Sequence, residues 1–180
     1  MGLLAIWVSN QGRTTDHRLL AAVLLLGATA DMVLEVDFIA GAAIFAVGHV
    51  VAITLYVRNR RAKLGPRDVA LAAIFVGGVI VLASGLAGAE MAAAVGFYTL
   101  FLAAMAGTAL LSRFPLAAAG ALLFVVSDLL IFARMDRLAG VGWVSPVIWL
   151  CYFGGQAMIA WGVAAILACP SSEHLAQRAA

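Results

Sequence analysis

Charge is what this sequence has least of. Only 11% of its 180 residues are Asp, Glu, Lys or Arg, against about 25% in ordinary soluble domains. So few polar residues cannot cover the surface of a soluble fold of this length. That excludes an ordinary soluble enzyme, a nucleic-acid-binding domain and a disordered tail. Cysteine is nearly absent too. Cys151 and Cys169 fall on one predicted helix, 18 positions apart. At 1.5 Å rise per residue that is about 27 Å, too far to bridge, and the spacing suits no metal. There is no phosphate loop, no G-x-S-x-G and no H-E-x-x-H. Ser84, Ser112, Ser127 and Ser145 lack a histidine in an obvious partner position. A single histidine inside the apolar runs leaves no good zinc or haem site. The expectation is therefore no metal and no cofactor.

Apolar residues take the place of what is missing. They make up 65% of the chain, and the mean hydropathy is +1.08. A helical membrane span needs about 20 such residues. Six runs qualify, over 19–36, 38–57, 68–87, 90–111, 115–133 and 143–168. None shows the alternation of a barrel strand. The predicted fold is an all-α integral membrane bundle of about six transmembrane helices. It forms a single domain over 1–180 and leaves no room for a second. The run 1–8 is apolar but too short to span. No basic stretch precedes it and Asn10-Gln11-Gly12-Arg13 ends it, so it does not read as a signal peptide. It reads either as the last two turns of a helix or as an interfacial start. Gly and Ala richness, including Ala117-Ala118-Ala119-Gly120 and Gly154-Gly155, is expected to serve close helix packing.

Short loops set the orientation. One side collects Arg13, Arg18, Arg58, Arg60, Arg61, Lys63, Arg67, Arg113 and Arg178, and the other only Arg134 and Arg137. The loop over 58–67 is thus expected in the cytoplasm and the turn over 35–37 outside. Ten arginines against one lysine, amid Ala, Gly and Val, is the bias of GC-rich bacterial coding. A bacterial inner membrane is the expected location. Single cysteines at positions 61 and 138, in a chain otherwise cleared of cysteine, test the orientation. Impermeant label on intact cells should reach 138 and not 61; the reverse pattern overturns it.

An ionisable side chain at mid-span costs about 2.5–3.5 kcal/mol on insertion scales, so such residues point into the protein. Asp31 and Asp128 each lie five residues from the outer end of their runs, about 8 Å deep. His49, Tyr152 and Gln156 lie a turn or two deeper, and Tyr98 lies near mid-span. This common depth suggests one polar pocket in the outer half of the bundle. Asp31 and Asp128 are the candidate catalytic residues, because no Lys or Arg shares their spans. His49, Tyr98, Ser127, Tyr152 and Gln156 are candidate substrate-binding or supporting residues. Each has a plainer role open to it: a packed tyrosine, a glutamine joining helices, a histidine donating to a carbonyl. Glu35 reads as a solvated turn residue, and Arg134 and Arg137 read as interfacial anchors.

These residues form a pattern. Leu26-Gly27-Ala28-Thr29-Ala30-Asp31-Met32 is followed by Phe38-x-x-Gly41-x-x-x-Phe45-x-x-Gly48-His49. Phe97-Tyr98 comes next, then Gly120 through Phe124-Val125-Val126-Ser127-Asp128, and finally Tyr152-Phe153-Gly154-Gly155-Gln156. In this order they resemble the YhhN/lysoplasmalogenase family of multi-span membrane proteins over most of 19–168. Ala30 stands where that family usually has Gly. Ala52 stands where it usually has Tyr, the nearest here being Tyr56. Most members have eight spans. The resemblance therefore implies that 1–8 ends the family's second helix and that an apolar helical segment precedes it.

The resemblance also implies an activity. It is hydrolysis of the vinyl ether bond of a lysoplasmalogen to a fatty aldehyde and a glycerophospho-headgroup product. The implied partners are the lysophospholipid substrate and the bilayer, with no nucleic acid. Such a bond is cleaved by protonating its β-carbon, which needs a proton donor and a group that offsets the oxocarbenium charge. The rival reading is a non-enzymatic transporter or lipid-binding protein with a polar intramembrane pocket. The lack of a strong internal repeat and of matching broken helices weighs against a transporter.

Overall fold

The computed structural model describes residues 2–12 and 14–168. They form seven helices: α1 (Gly2–Gln11), α2 (Thr15–Leu34), α3 (Phe38–Arg58), α4 (Pro66–Leu86), α5 (Gly88–Leu111), α6 (Pro115–Met135) and α7 (Val144–Ala168). Six of them, α2 to α7, are long and apolar enough to cross a membrane. The boundaries lie within four residues of those expected. Residues 2–8 of that run are helical as part of α1, whose Ala5 and Val8 are buried. Trp7 stacks on Trp161 of α7 with ring centroids 5.7 Å apart.

Local chemistry sets the ends. Thr14 caps α2, its hydroxyl accepting from His17 N–H at 3.4 Å. The Asp37 carboxylate accepts from the N–H groups of Ile39 and Ala40 and starts α3 only three residues after α2 stops. Such a side chain satisfies donors that a helix start leaves free. Pro66 and Pro115 stand at the first positions of α4 and α6, where a missing N–H costs nothing. Gly88, with φ of +75°, turns the chain sharply from α4 into α5.

Five helices close into a ring. Neighbouring pairs pack in the order α2, α3, α5, α6, α7 and back to α2. Outside the ring, α4 lies on α5 and α6, and α1 lies on α2 and α7. Consequently α4 buries only Val79 and Ala83 and turns residues such as Ile74 and Val81 outward. The tightest seam joins α6 to α7. A Cβ on Gly120 would lie 2.5 Å from the carbonyl oxygen of Gly155, and one on Gly155 would lie 2.7 Å from that of Gly120. Only glycine allows two backbones this close, as is common where helices meet in lipid. Gly154 lies off this seam, its nearest neighbour a Leu123 methyl at 4.0 Å.

One end of the ring is tied by polar groups that hydropathy does not reveal. Arg58 Nε donates to Asp16 Oδ1 at 2.9 Å, and Asn59 Nδ2 donates to Asp16 Oδ2 at 3.0 Å. Arg113 donates to Asn59 Oδ1 through Nε and Nη2 at 3.0 and 2.8 Å. The network links α2, α3 and the turn between α5 and α6. Arg58 and Arg113 therefore act here as structural ties, besides any part in orientation. At the other end Arg137 donates to the Gly85 carbonyl and Arg134 to the Ser145 hydroxyl. Both arginines there contact neighbouring elements of the protein.

Candidate active site

Every helix of the ring supplies a polar side chain to the site: Asp31, half-buried, from α2, His49 from α3, Tyr98 from α5, Asp128 from α6 and Tyr152 from α7. They form two arms. In the first, the Tyr98 hydroxyl donates to Asp128 Oδ2 at 2.7 Å. Its one proton is then used, so the 3.2 Å contact with His49 Nε2 has the ring N–H donating to the phenol oxygen. That fixes the histidine tautomer and leaves Nδ1 as an acceptor. In the second arm the Tyr152 hydroxyl donates to Asp31 Oδ2, again at 2.7 Å. Each carboxyl keeps its other oxygen free of these bonds.

Aromatic rings hold the arms apart. Phe124 lies edge-on to both Tyr152 (5.3 Å) and His49 (5.4 Å). Phe45 contacts the same two rings, each at 6.2 Å, and lies 5.8 Å from Phe124. The Phe45–Phe124 pair thus fills the space between the arms with apolar surface. Apolar walls of this kind strengthen the hydrogen bonds beside them by lowering the local dielectric.

A cavity of about 280 Å³ reaches the Asp128 arm from the bundle's exterior. Its floor is Tyr98 and Asp128, and its walls include Ala42 and Ala46 of α3, Ala94 of α5 and Phe132 of α6. Ile39 and Phe97 at its rim are 75% and 69% exposed. These residues belong to the halves of their helices nearer the 35–37 turn. The cavity is thus an apolar groove between α3, α5 and α6, open to the bundle's exterior, with one carboxyl in its lining.

The other expected site residues divide. Gln156 is buried one turn from Tyr152, and its Oε1 has no hydrogen-bond partner. Ser127 is fully buried, but its hydroxyl donates to the Ile148 carbonyl of α7 at 3.2 Å. That bond ties α6 to α7, and the hydroxyl does not join the carboxyl arms. Glu35 is exposed in the turn. Among the described residues no three of His, Cys, Asp and Glu come together as a metal-binding group. Cys169, Arg13 and Arg178 lie outside the described residues. Phe45 and Phe124 carry no polar signal, so a search for chemistry-bearing residues passes over them.

A closed ring of spanning helices around paired carboxyls, with an apolar groove leading to one of them, defines a multi-pass membrane protein with an intramembrane polar site. The chain belongs to the YhhN family, whose family model matches residues 1–163. No curated protein and no solved structure matches it.

Proposed function

We propose that this protein hydrolyses the vinyl ether bond of a lysophospholipid, a lysoplasmalogen, by carboxyl acid–base catalysis. The observation that carries the reading is Asp128 in the lining of an apolar groove that opens at the bundle's exterior. A single-chain amphiphile can lie along that groove with its alkenyl tail toward the lipid and its headgroup toward the 35–37 end, which brings the double bond beside the carboxyl. Asp128 is the proton donor. Tyr98 holds its Oδ2, and the other oxygen delivers the proton to the β-carbon. The C=C electrons form the new C–H bond, and the positive charge falls on the adjacent carbon and the ether oxygen. Asp31, held by Tyr152, offsets that charge. Water then adds to the cationic carbon and loses a proton to a carboxylate. The hemiacetal collapses to aldehyde and alcohol.

YhhN membership and the spanning helices support a membrane location. The charge bias of the short loops supports a groove opening toward the outer leaflet of a bacterial inner membrane. The deciding experiment is an assay of purified protein on a lysoplasmalogen beside an ester lysophospholipid of equal chain length. Aldehyde release from the first and no fatty acid from the second is the expected result. Binding of both with hydrolysis of neither would favour a transporter or lipid-binding protein.

A further inference from the structure

A second, smaller cavity lies toward the 58–67 end of the ring. Its volume is about 20 Å³, and its lining includes Gly27, His49, Ala52, Tyr56, Met105 and Gln156. That is room for about one water molecule. Dry cavities of this size are lined by apolar groups alone, whereas this one has three polar residues in its wall. Two of their atoms are buried without any partner, the Tyr56 hydroxyl and Gln156 Oε1. Tyr56 is 1% exposed and Gln156 4%. His49 brings a third polar group, since its Nε2 is engaged with Tyr98 and its Nδ1 remains an acceptor. Buried polar groups left alone are costly, and one water with three partners removes the cost.

The cavity also touches both arms of the site. A Cβ on Gly27 would meet Gln156 Nε2 at 3.7 Å and the Tyr152 hydroxyl at 3.9 Å, which puts the Asp31 arm beside it. His49 belongs to the Asp128 arm. Phe45 lines this cavity and the lipid-facing groove alike. Phe45 is therefore a wall common to the two spaces.

We propose that this cavity is a one-water site, formed by Tyr56, Gln156 and His49, which supplies the water consumed in hydrolysis. The supplying role rests on the vinyl ether reading; the water site itself does not. In that role the water oxygen forms a bond to the oxocarbenium carbon, and one water proton goes to a carboxylate. This replaces the proton given to the β-carbon. Water thus reaches the reacting carbon from the side opposite the lipid, so the groove itself can stay dry.

Two measurements test this with Tyr56→Phe and Gln156→Leu, which remove the unpartnered Tyr56 hydroxyl and Gln156 Oε1. The first is a high-resolution structure of the full chain in lipid. One ordered water between Tyr56 and Gln156, lost in the double variant, is the expected result; a dry cavity in the unaltered protein overturns the site. The second is turnover of the vinyl ether in D₂O. The unaltered protein should place one deuterium beside the aldehyde carbon and none in recovered substrate. Each variant should turn over about tenfold more slowly, as for loss of one orienting hydrogen bond. Each should also leave deuterium in recovered substrate, because a cation that waits for water returns to alkene. Slower turnover without that exchange, or unchanged turnover, overturns the supplying role. If the unaltered protein does not cleave the vinyl ether at all, the functional reading and the supplying role fall together. The water site is then decided by the structure alone.

Discussion

Replacing Asp128 with asparagine lowers lysoplasmalogen turnover by about 10²–10⁴-fold, the usual worth of a general acid. Asparagine keeps the volume and still accepts the bond from Tyr98, so the fold survives. What is lost is a proton acidic enough to reach carbon. Asp31→Asn also abolishes turnover, through a different step. Its amide is neutral, so the developing positive charge loses its counter-charge while Tyr152 keeps a partner. Tyr98→Phe and Tyr152→Phe give smaller losses, because each frees a carboxyl oxygen without removing the carboxyl. The measurement is aldehyde release beside thermal stability in detergent. Near-normal turnover in both Asn variants means that the arms are not catalytic. Unfolding of both means that the two carboxyls are structural, holding their helices through the tyrosine hydrogen bonds.

Filling the groove is the second large effect. Ala94 lines it one turn before Tyr98 and is exposed, so a larger side chain there projects into the groove without displacing the core. Ala94→Trp lowers kcat/KM for a long-chain lysoplasmalogen at least about tenfold, and less for a short-chain analogue that leaves the outer groove empty. A pocket contact of this size is worth about 1–3 kcal/mol. Ala93→Trp is the control, since Ala93 is equally exposed but does not line the groove. Equal losses in the two variants, or no dependence on chain length for Ala94→Trp, would show that the chain lies elsewhere.

Both variants depend on features that differ in how far the sequence reveals them. Hydropathy is a property of each segment by itself, so the six spanning helices can be read from composition and run length. Their ends are equally local, written in Asp37, Pro66 and Pro115. The depth of Asp31 and Asp128 is also a matter of counting residues along a helix. Position around the helix axis tells less, because an all-apolar span gives no polar face to orient it. Asp128 and Ser127 are adjacent, and nothing in their neighbours says which one turns to the site. The glycine seam between α6 and α7 decides it: it brings the Ile148 carbonyl within reach of Ser127 and leaves Asp128 facing Tyr98.

The chain by itself determined a membrane-spanning helical bundle, its segment boundaries and a set of polar residues at one depth, because burial in lipid acts on each segment separately. Only the tertiary structure decided the pairing. Tyr98 bonds to Asp128 and Tyr152 to Asp31, across 30 and 121 positions of sequence. The Phe45–Phe124 wall and the two cavities likewise exist only where several helices meet. Partners of that kind are chosen by the order in which helices close a ring, and no single helix carries that information.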